Sequence, residues 1–439
     1  MYKITANFLN KNKLFYKHQY GFREHHSTIH PITQYLNHIA DINNKPNPEL
    51  SMAVFLDLSK AFDTISHDIL LDKLNKYGIR GIANDWFRSY LSDRKQYVDI
   101  NGNTSSFHNL TCGVPQGSIL GPLLYLIYVN DIAEATKSGV LSFADDTTLY
   151  LSNSNIKSLY EKGNQELNNL YKWFCANKLS LNTTKTKYII IKPQQRIYCS
   201  DHLQLMINGN KVIKIANNLP EKSIKFLGMH IDENLSWKQH TNHINKKVSH
   251  AIFNINRAKH ILPKSSLKTL YYALIHPHLM YGITLWGGAN SSIINKTITL
   301  QKKAIRIISK ASYNSHTEPL FKENNILKLK DLYEQQIAIF MHNWENNKLP
   351  TSFKNSFTQN CQINPTITTR QSNMFHIKPT KSKFVSNLPN IKFPSTWNKL
   401  KAAIDISNVN IKNKIKQYFI SMYKNNIMCS NPNCKDCNQ

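Results

Sequence analysis

The sequence predicts an α+β fold in which a strand-and-helix first half gives way to a helical, basic second half. Short apolar runs, helical stripes and two Asn-Gly turn dipeptides all fall before residue 235. Beyond it, apolar residues recur every three or four positions. The charge divides at the same place: 26 Lys and Arg accompany 20 Asp and Glu in residues 1–235, whereas 29 accompany 7 in residues 236–439.

The elements follow in order. Residues 53–58 form a short apolar strand running into Asp57. Ser66 or Asp68 can cap a helix whose apolar positions Ile69, Leu70, Leu74 and Tyr77 keep helical spacing until Gly78. A second helix covers 82–91. Residues 96–100 and 106–112 pair through Asn101-Gly102, a dipeptide that tolerates the left-handed backbone of a tight hairpin. Gly113-Val114-Pro115-Gln116-Gly117 is a loop opening the apolar helix 118–132. An acidic hairpin follows, then a helix over 155–177, a strand over 188–191 and a hairpin turning at Asn208-Gly209. Residues 226–231 read as one closing strand. Trp237, Thr241, Ile244, Val248, Ala251, Ile255 and Ala258 then mark a long amphipathic helix, with further helices over 264–274, 293–309 and 330–346. Beyond Pro350 the pattern breaks into polar stretches carrying Pro365, Pro379, Pro389 and Pro394, and ends in a weak helix over 411–423.

Composition bounds the function. A chain of 439 residues, 41% hydrophobic with 21 Tyr and 19 Phe, is no disordered chain and has room for two or three domains. No run reaches the ~18 apolar residues of a spanning helix, and Met1–Thr5 has no apolar signal region, so a soluble intracellular protein without a membrane is expected. A net charge of +28, concentrated after residue 235, points to a polyanionic partner, nucleic acid foremost. A Lys-, Asn- and Ile-rich composition and an anionic membrane are the alternatives. Seven cysteines without a secretory signal argue for reduced thiols. Cys429, Cys434 and Cys437 form C-x4-C-x2-C, either part of a zinc site or free thiols of a terminus, with no fourth ligand nearby.

The densest chemistry lies at Phe143-Ala144-Asp145-Asp146, flanked on both sides by strand-like residues. Adjacent carboxylates repel unless something neutralises them, and hard oxygen donors suit Mg²⁺; a bare acidic turn is the alternative. Asp57 is the candidate third carboxylate, although a strand-terminal Asp also serves as a cap.

The order strand-Asp57, Pro-Gln-Gly loop with its helix, acidic hairpin and Phe226-Leu227-Gly228 resembles the palm of a reverse transcriptase. The residues carrying the resemblance are Phe55-Leu56-Asp57-Leu58-Ser59-Lys60-Ala61-Phe62-Asp63, Gly113 to Pro122, and Phe143 to Asp146. The wording is most similar to non-LTR retrotransposons of the LINE type, through Gly21-Phe22-Arg23, His26-Ser27-Thr28 and Ser118-Ile119-Leu120-Gly121-Pro122; that last run disfavours an intron-encoded maturase. The likeness covers residues 18–235 strongly and continues weakly to Asn346.

The resemblance implies a polymerase right hand: partial fingers and palm over 1–235, a helical thumb-like region over 236–346, and a basic C-terminal extension over 347–439. It implies RNA-directed DNA polymerase activity, with deoxynucleoside triphosphates as substrates and an RNA template and a DNA primer or target as partners. Two Mg²⁺ ions would be held by Asp57, the Leu58 carbonyl, Asp145 and Asp146. Phe62 would be the steric gate against a 2′-hydroxyl, or else an ordinary core aromatic. Pro115, Gln116 and Gly117 would lie against the templating base and the nucleotide. Lys185 would sit near the pyrophosphate, with Lys187 competing and a solvated surface lysine as the alternative. Arg23 would hold template phosphates or order the fingers, Asp63 would brace its turn, and Phe226, Leu227 and Gly228 would form the primer grip. The family also implies residence in nucleus and cytoplasm as a ribonucleoprotein. Relatives carry an Arg-Pro-Ile fingers segment well before Gly-Phe-Arg, whereas Gly21 follows only 20 residues here, so a truncated copy is expected. The second reading is a catalytically silent nucleic-acid-binding remnant.

Overall fold

The structure, a computed structural model, describes residues 1–192, 202–363, 372–404 and 410–424. The chain separates into two compact units. The first comprises residues 1–35, 45–219 and 350–352; the second comprises 36–44, 220–349 and 353–439.

The first unit is built on a five-stranded sheet. Its strands are β1 (Leu50–Leu56), β2 (Gly139–Phe143), β3 (Asp146–Asn153), β4 (Lys187–Ile191) and β5 (Ile213–Ile215), in the order β5-β4-β1-β3-β2. Neighbours run antiparallel except β4 and β5. Central β1 is buried at every position, which explains its continuous apolar run in place of an alternating one. Met52, Val54 and Leu56 point into one core with Leu149, Leu151, Tyr188 and Ile190, where helices Leu120–Val129 and Ile156–Ala176 bury Tyr125, Tyr128, Leu167 and Phe174. On the opposite face the Ser51 hydroxyl meets the Tyr35 hydroxyl at 3.2 Å, and the Tyr35 ring stands edge-on to Tyr150. Asn155 caps the long helix by accepting from the Lys157 and Ser158 amides.

The free edge of β2 does not stay free. Residues 18–21 dock along it in parallel, with the Ser142 amide donating to the His18 carbonyl at 3.0 Å and the Tyr20 amide to the Ser142 carbonyl at 2.7 Å. Within the core, Lys73 is buried between the rings of Tyr128 and Trp173 and donates to Asp131 Oδ1 and the Tyr128 carbonyl, both at 2.6 Å.

The second unit is mostly helical. Helices Lys238–Ala258, Lys264–Leu274, Ser291–Ile308 and Leu329–Glu345 carry it. Buried Gln301 satisfies its whole amide, donating to the Leu327 carbonyl and the Tyr271 hydroxyl and accepting from the Leu329 amide. An aromatic cluster of Phe340, Trp344, Phe353, Phe357, Phe375 and Phe393 forms a satellite core.

Two sequence expectations are corrected. Residues 226–231 are not one strand: Ile224–Phe226 (β6) and Met229–Ile231 (β7) pair antiparallel about a two-residue turn, with Leu227 and Gly228 at φ 45° and 79°. The region holding Pro389 and Pro394 is not irregular but a helix, Pro389–Ala403. Pro389 occupies its first turn, where no amide is needed, and buried Trp397 and Leu400 anchor the remainder. Two helices the sequence reading leaves unassigned, Tyr2–Lys11 and Ile29–Asn43, are also present.

Candidate active site

Strands β2 and β3 meet at a tight turn in which Phe143 pairs with Asp146 and only Ala144 and Asp145 lie between. Ala144 takes φ 56°, a backbone that β-carbon-bearing residues avoid. Gln19, itself buried, holds it there: its Oε1 accepts from the Ala144 amide at 3.1 Å and from the Gly21 amide at 2.9 Å. Gly21 has to be glycine, because a Cβ would stand 2.2 Å from the Ala144 nitrogen. The result is a fixed turn that presents Asp145 and Asp146 to solvent.

The last registered pair between β1 and β3 is Leu56 with Thr147, so the next step along both strands brings Asp57 beside Asp146. The Asp57 carbonyl accepts from the Asn182 amide at 2.8 Å, and Leu58–Ser59 leaves the main sheet to pair with Ser180–Leu181. Although the residue as a whole is exposed, partial desolvation of its carboxyl by the neighbouring strand ends, then the charges of Asp145 and Asp57, push the Asp146 carboxyl up to about 6. The Asp146 carboxyl therefore senses the charges of the other two. As the side chains lie, no three His, Cys, Asp or Glu among the described residues are grouped as the shell of one ion. The donor chemistry nevertheless fits a hard divalent cation: anionic oxygens at adjoining strand ends, with a repulsion that a cation relieves.

Phe62 lies at the end of the segment leaving Asp57. Its ring stacks on Tyr125, centroids 4.6 Å apart, and Phe22 stands edge-on to it at 6.2 Å. The Pro-Gln-Gly loop is tied to the same segment: Val114 donates to the Phe62 carbonyl at 2.9 Å, and Gln116 Nε2 to Asp63 Oδ1 at 2.8 Å. Gly113, at φ 84°, passes so close to Asp63 that a Cβ would lie 2.7 Å from its carbonyl oxygen. Pro115 accepts from the Ser118 hydroxyl, while exposed Gly117 has open space around it.

The remaining candidates are dispersed. Lys185 is exposed on the loop before β4. Lys187 sits in β4 directly across from Phe55, two residues before Asp57. Arg23 is turned inward, its Nη1 donating to the carbonyls of Tyr16 and Gln19 at 3.0 and 3.1 Å and its guanidinium lying over the Phe15 ring. It orders the segment that docks on β2. Phe226, Leu227 and Gly228 belong to the second unit, where the Tyr281 hydroxyl donates to the Leu227 carbonyl and its ring covers Gly228. Cys429, Cys434 and Cys437 lie outside the described residues. Gln19 and Phe22 were not singled out from the sequence as site residues. The Gln19 signal is only its nearness to Gly21-Phe22-Arg23.

Carboxylates carried on adjoining strand ends of a helix-backed sheet have the donor chemistry that two-metal phosphoryl transfer needs. The match to the family model described as "Reverse transcriptase (RNA-dependent DNA polymerase)" spans residues 1–231, and the chain belongs to that family. The resemblance read from its motifs is thereby borne out. It is similar to "Probable RNA-directed DNA polymerase from transposon BS" of Drosophila melanogaster, 29% identical over 74% of this chain and 36% of that protein. "RNA-directed DNA polymerase from mobile element jockey" of the same species is 26% identical over 72% of this chain and 34% of its own length. The chain thus spans about a third of the length of these relatives. Among solved structures, apo telomerase from Candida tropicalis aligns at a TM-score of 0.40 and 12% identity, covering 77% of this chain and 57% of that one. No helix among the described residues is long and apolar enough to cross a membrane.

Proposed function

We propose that the chain is an RNA-directed DNA polymerase of the non-LTR retrotransposon type, extending a DNA primer on an RNA template with deoxynucleoside triphosphates. The observation that carries this reading is the convergence of Asp57 and the Asp145-Asp146 turn at adjoining strand ends, with Phe62 and the Gln116 loop tied to the segment that follows Asp57. In this reading residues 1–235 serve as partial fingers and palm, 236–346 as a thumb and 347–439 as a basic extension. The protein works as a ribonucleoprotein in cytoplasm and nucleus.

Asp57, the Leu58 carbonyl, Asp145 and Asp146 would hold a pair of divalent ions, Mg²⁺ by donor hardness, which when bound lower the pKa of the primer 3′-hydroxyl and offset charge on the departing pyrophosphate. The carboxylates ligate and need not take the proton. Phe62, immobilised between Tyr125 and Phe22, walls off the space a 2′-hydroxyl would need. Gln116 is held by Asp63 beside the nucleotide, and the bare backbone of Gly117 lets a base or phosphate approach. Lys185 or Lys187 supplies a cation for the triphosphate, and the Phe226-Leu227-Gly228 turn seats the primer end.

A second reading is a silent nucleic-acid-binding remnant. Primer extension on an RNA template with Mg²⁺ and deoxynucleotides separates the two. The expected result is extension that disappears in Asp145→Asn; RNA binding with no extension by the unaltered chain would sink the enzyme reading.

A further inference from the structure

The second unit contains a cleft of about 600 Å³. Helices Lys238–Ala258 and Ser291–Ile308 form its walls with the turns that follow them. Buried Ile252 and Ile307 line it, while Phe253 and Tyr313 are 60% and 81% exposed. Two large exposed aromatic rings beside one cleft are the kind of apolar surface that marks an interaction site.

The charge around them says what the partner is. Lys259, Lys303, Arg306 and Lys310 line the cleft, and Arg257 lies over the Phe253 ring at 5.8 Å. The sequence has no Asp or Glu between Glu233 and Glu318, so neither helix supplies a balancing charge. One cation at each helix C-terminus would satisfy the helix dipoles, a role that Arg257 and Arg306 fill from the last turns. Arg306 also donates to the Ser315 carbonyl. Lys259, Lys303 and Lys310 are additional to that need. Exposed rings flanked by cations bind unpaired nucleobases by stacking while the phosphates take the charge. Ser249, Asn256 and His260 also line the cleft and are side chains able to hydrogen-bond a ribose 2′-hydroxyl.

We infer that this cleft is a binding site for single-stranded RNA, with unpaired bases stacked on Phe253 and Tyr313 and phosphates on Lys259, Lys303 and Lys310. The inference deepens the proposed function, whose partner is RNA, but uses none of the acidic turn. A duplex buries its base faces and has nothing to stack on these rings, so the site discriminates unpaired from paired RNA.

The test is fluorescence anisotropy of the full chain with a short unstructured RNA, the DNA of the same sequence, and an RNA duplex. Phe253→Ala with Tyr313→Ala removes only exposed rings. It is expected to weaken single-stranded RNA binding by roughly ten-fold or more at unchanged salt slope, with little effect on the duplex. Lys303→Gln with Lys310→Gln should instead flatten the salt slope by about 0.7 per lost phosphate contact. Unchanged RNA affinity in the aromatic variant overturns the proposal, and so does a parent affinity for the matching DNA equal to that for the RNA. Circular dichroism of both variants should match the parent. Failure of the parent chain to extend a primer would leave these binding results standing, so the two readings fail separately.

Discussion

Phe22 meets Phe62 edge-on, ring centroids 6.2 Å apart at 87°, while Phe62 lies flat on Tyr125 at 4.6 Å. Phe22 holds this position from φ 52°, an uncommon backbone for a bulky residue, next to the Gly21 contact with the acidic turn. The ring proposed to exclude a 2′-hydroxyl is therefore fixed from two sides. Phe62→Ala should raise ribonucleotide use relative to deoxynucleotides by roughly ten-fold or more, and Phe22→Ala should do so to a smaller degree by freeing the Phe62 ring. The ratio of kcat/KM for matched ribo- and deoxynucleotides reads both. An unaltered ratio in Phe62→Ala removes the gate.

Gln19 accepts from two amides, those of Gly21 and Ala144, and both are lost in Gln19→Ala. Leaving buried donors unpaired costs about 1–3 kcal/mol each, so urea denaturation should show a loss of roughly 2–6 kcal/mol. Gln19→Glu keeps the accepting oxygen and should retain more of the stability. Equal losses in the two variants would show that the accepting oxygen is not what matters.

Asp145→Asn is expected to act with opposite signs on stability and activity. It removes one of the charges that push the Asp146 carboxyl up to about 6, so thermal denaturation without divalent ions should move to higher temperature. Added Mg²⁺ should stabilise the parent more than the variant, and extension should vanish in the variant. A melting temperature that falls without divalent ions contradicts the repulsion.

Three histidines near the N-terminus titrate low because burial disfavours their charged forms: His18 and His26 at about 4, His30 at about 3. Their ordinary value is 6.5, so the unfolded chain binds protons that the folded one refuses. Stability from this source is full above 6.5 and declines as pH falls from there toward 4. Urea midpoints at pH 7.0, 6.0 and 5.0 should step downward. In His30→Phe the decline should be shallower, and an identical slope would exclude His30 as a contributor.

Legibility in the sequence followed how local the cause was. The turns at Asn101-Gly102 and Asn208-Gly209 were readable because both residues of each take positive φ, which those residue types tolerate. Helix Ile156–Ala176 was readable from its Asn155 cap and apolar stripe. The turn at Leu227-Gly228 was not, since leucine signals no turn; the Tyr281 hydroxyl that satisfies its carbonyl lies 54 residues away. Helix Pro389–Ala403 was hidden by prolines that read as breakers, although Pro389 stands where its missing amide costs nothing. At the candidate site, Asp57, Phe62, Gln116 and the acidic pair stand in compact motifs. Gln19 serves a turn 125 positions further on, which no local pattern announces.

The docking of residues 18–21 on β2 sets an order of events during synthesis. Gln19 leaves the ribosome more than a hundred residues before Ala144, the amide it must grasp. Until β2 emerges, that buried amide side chain has no strand to join, and the acidic turn cannot lock into shape on its own. A chain lacking its first 23 residues would still carry every carboxylate, yet the turn that displays two of them would lose its clamp.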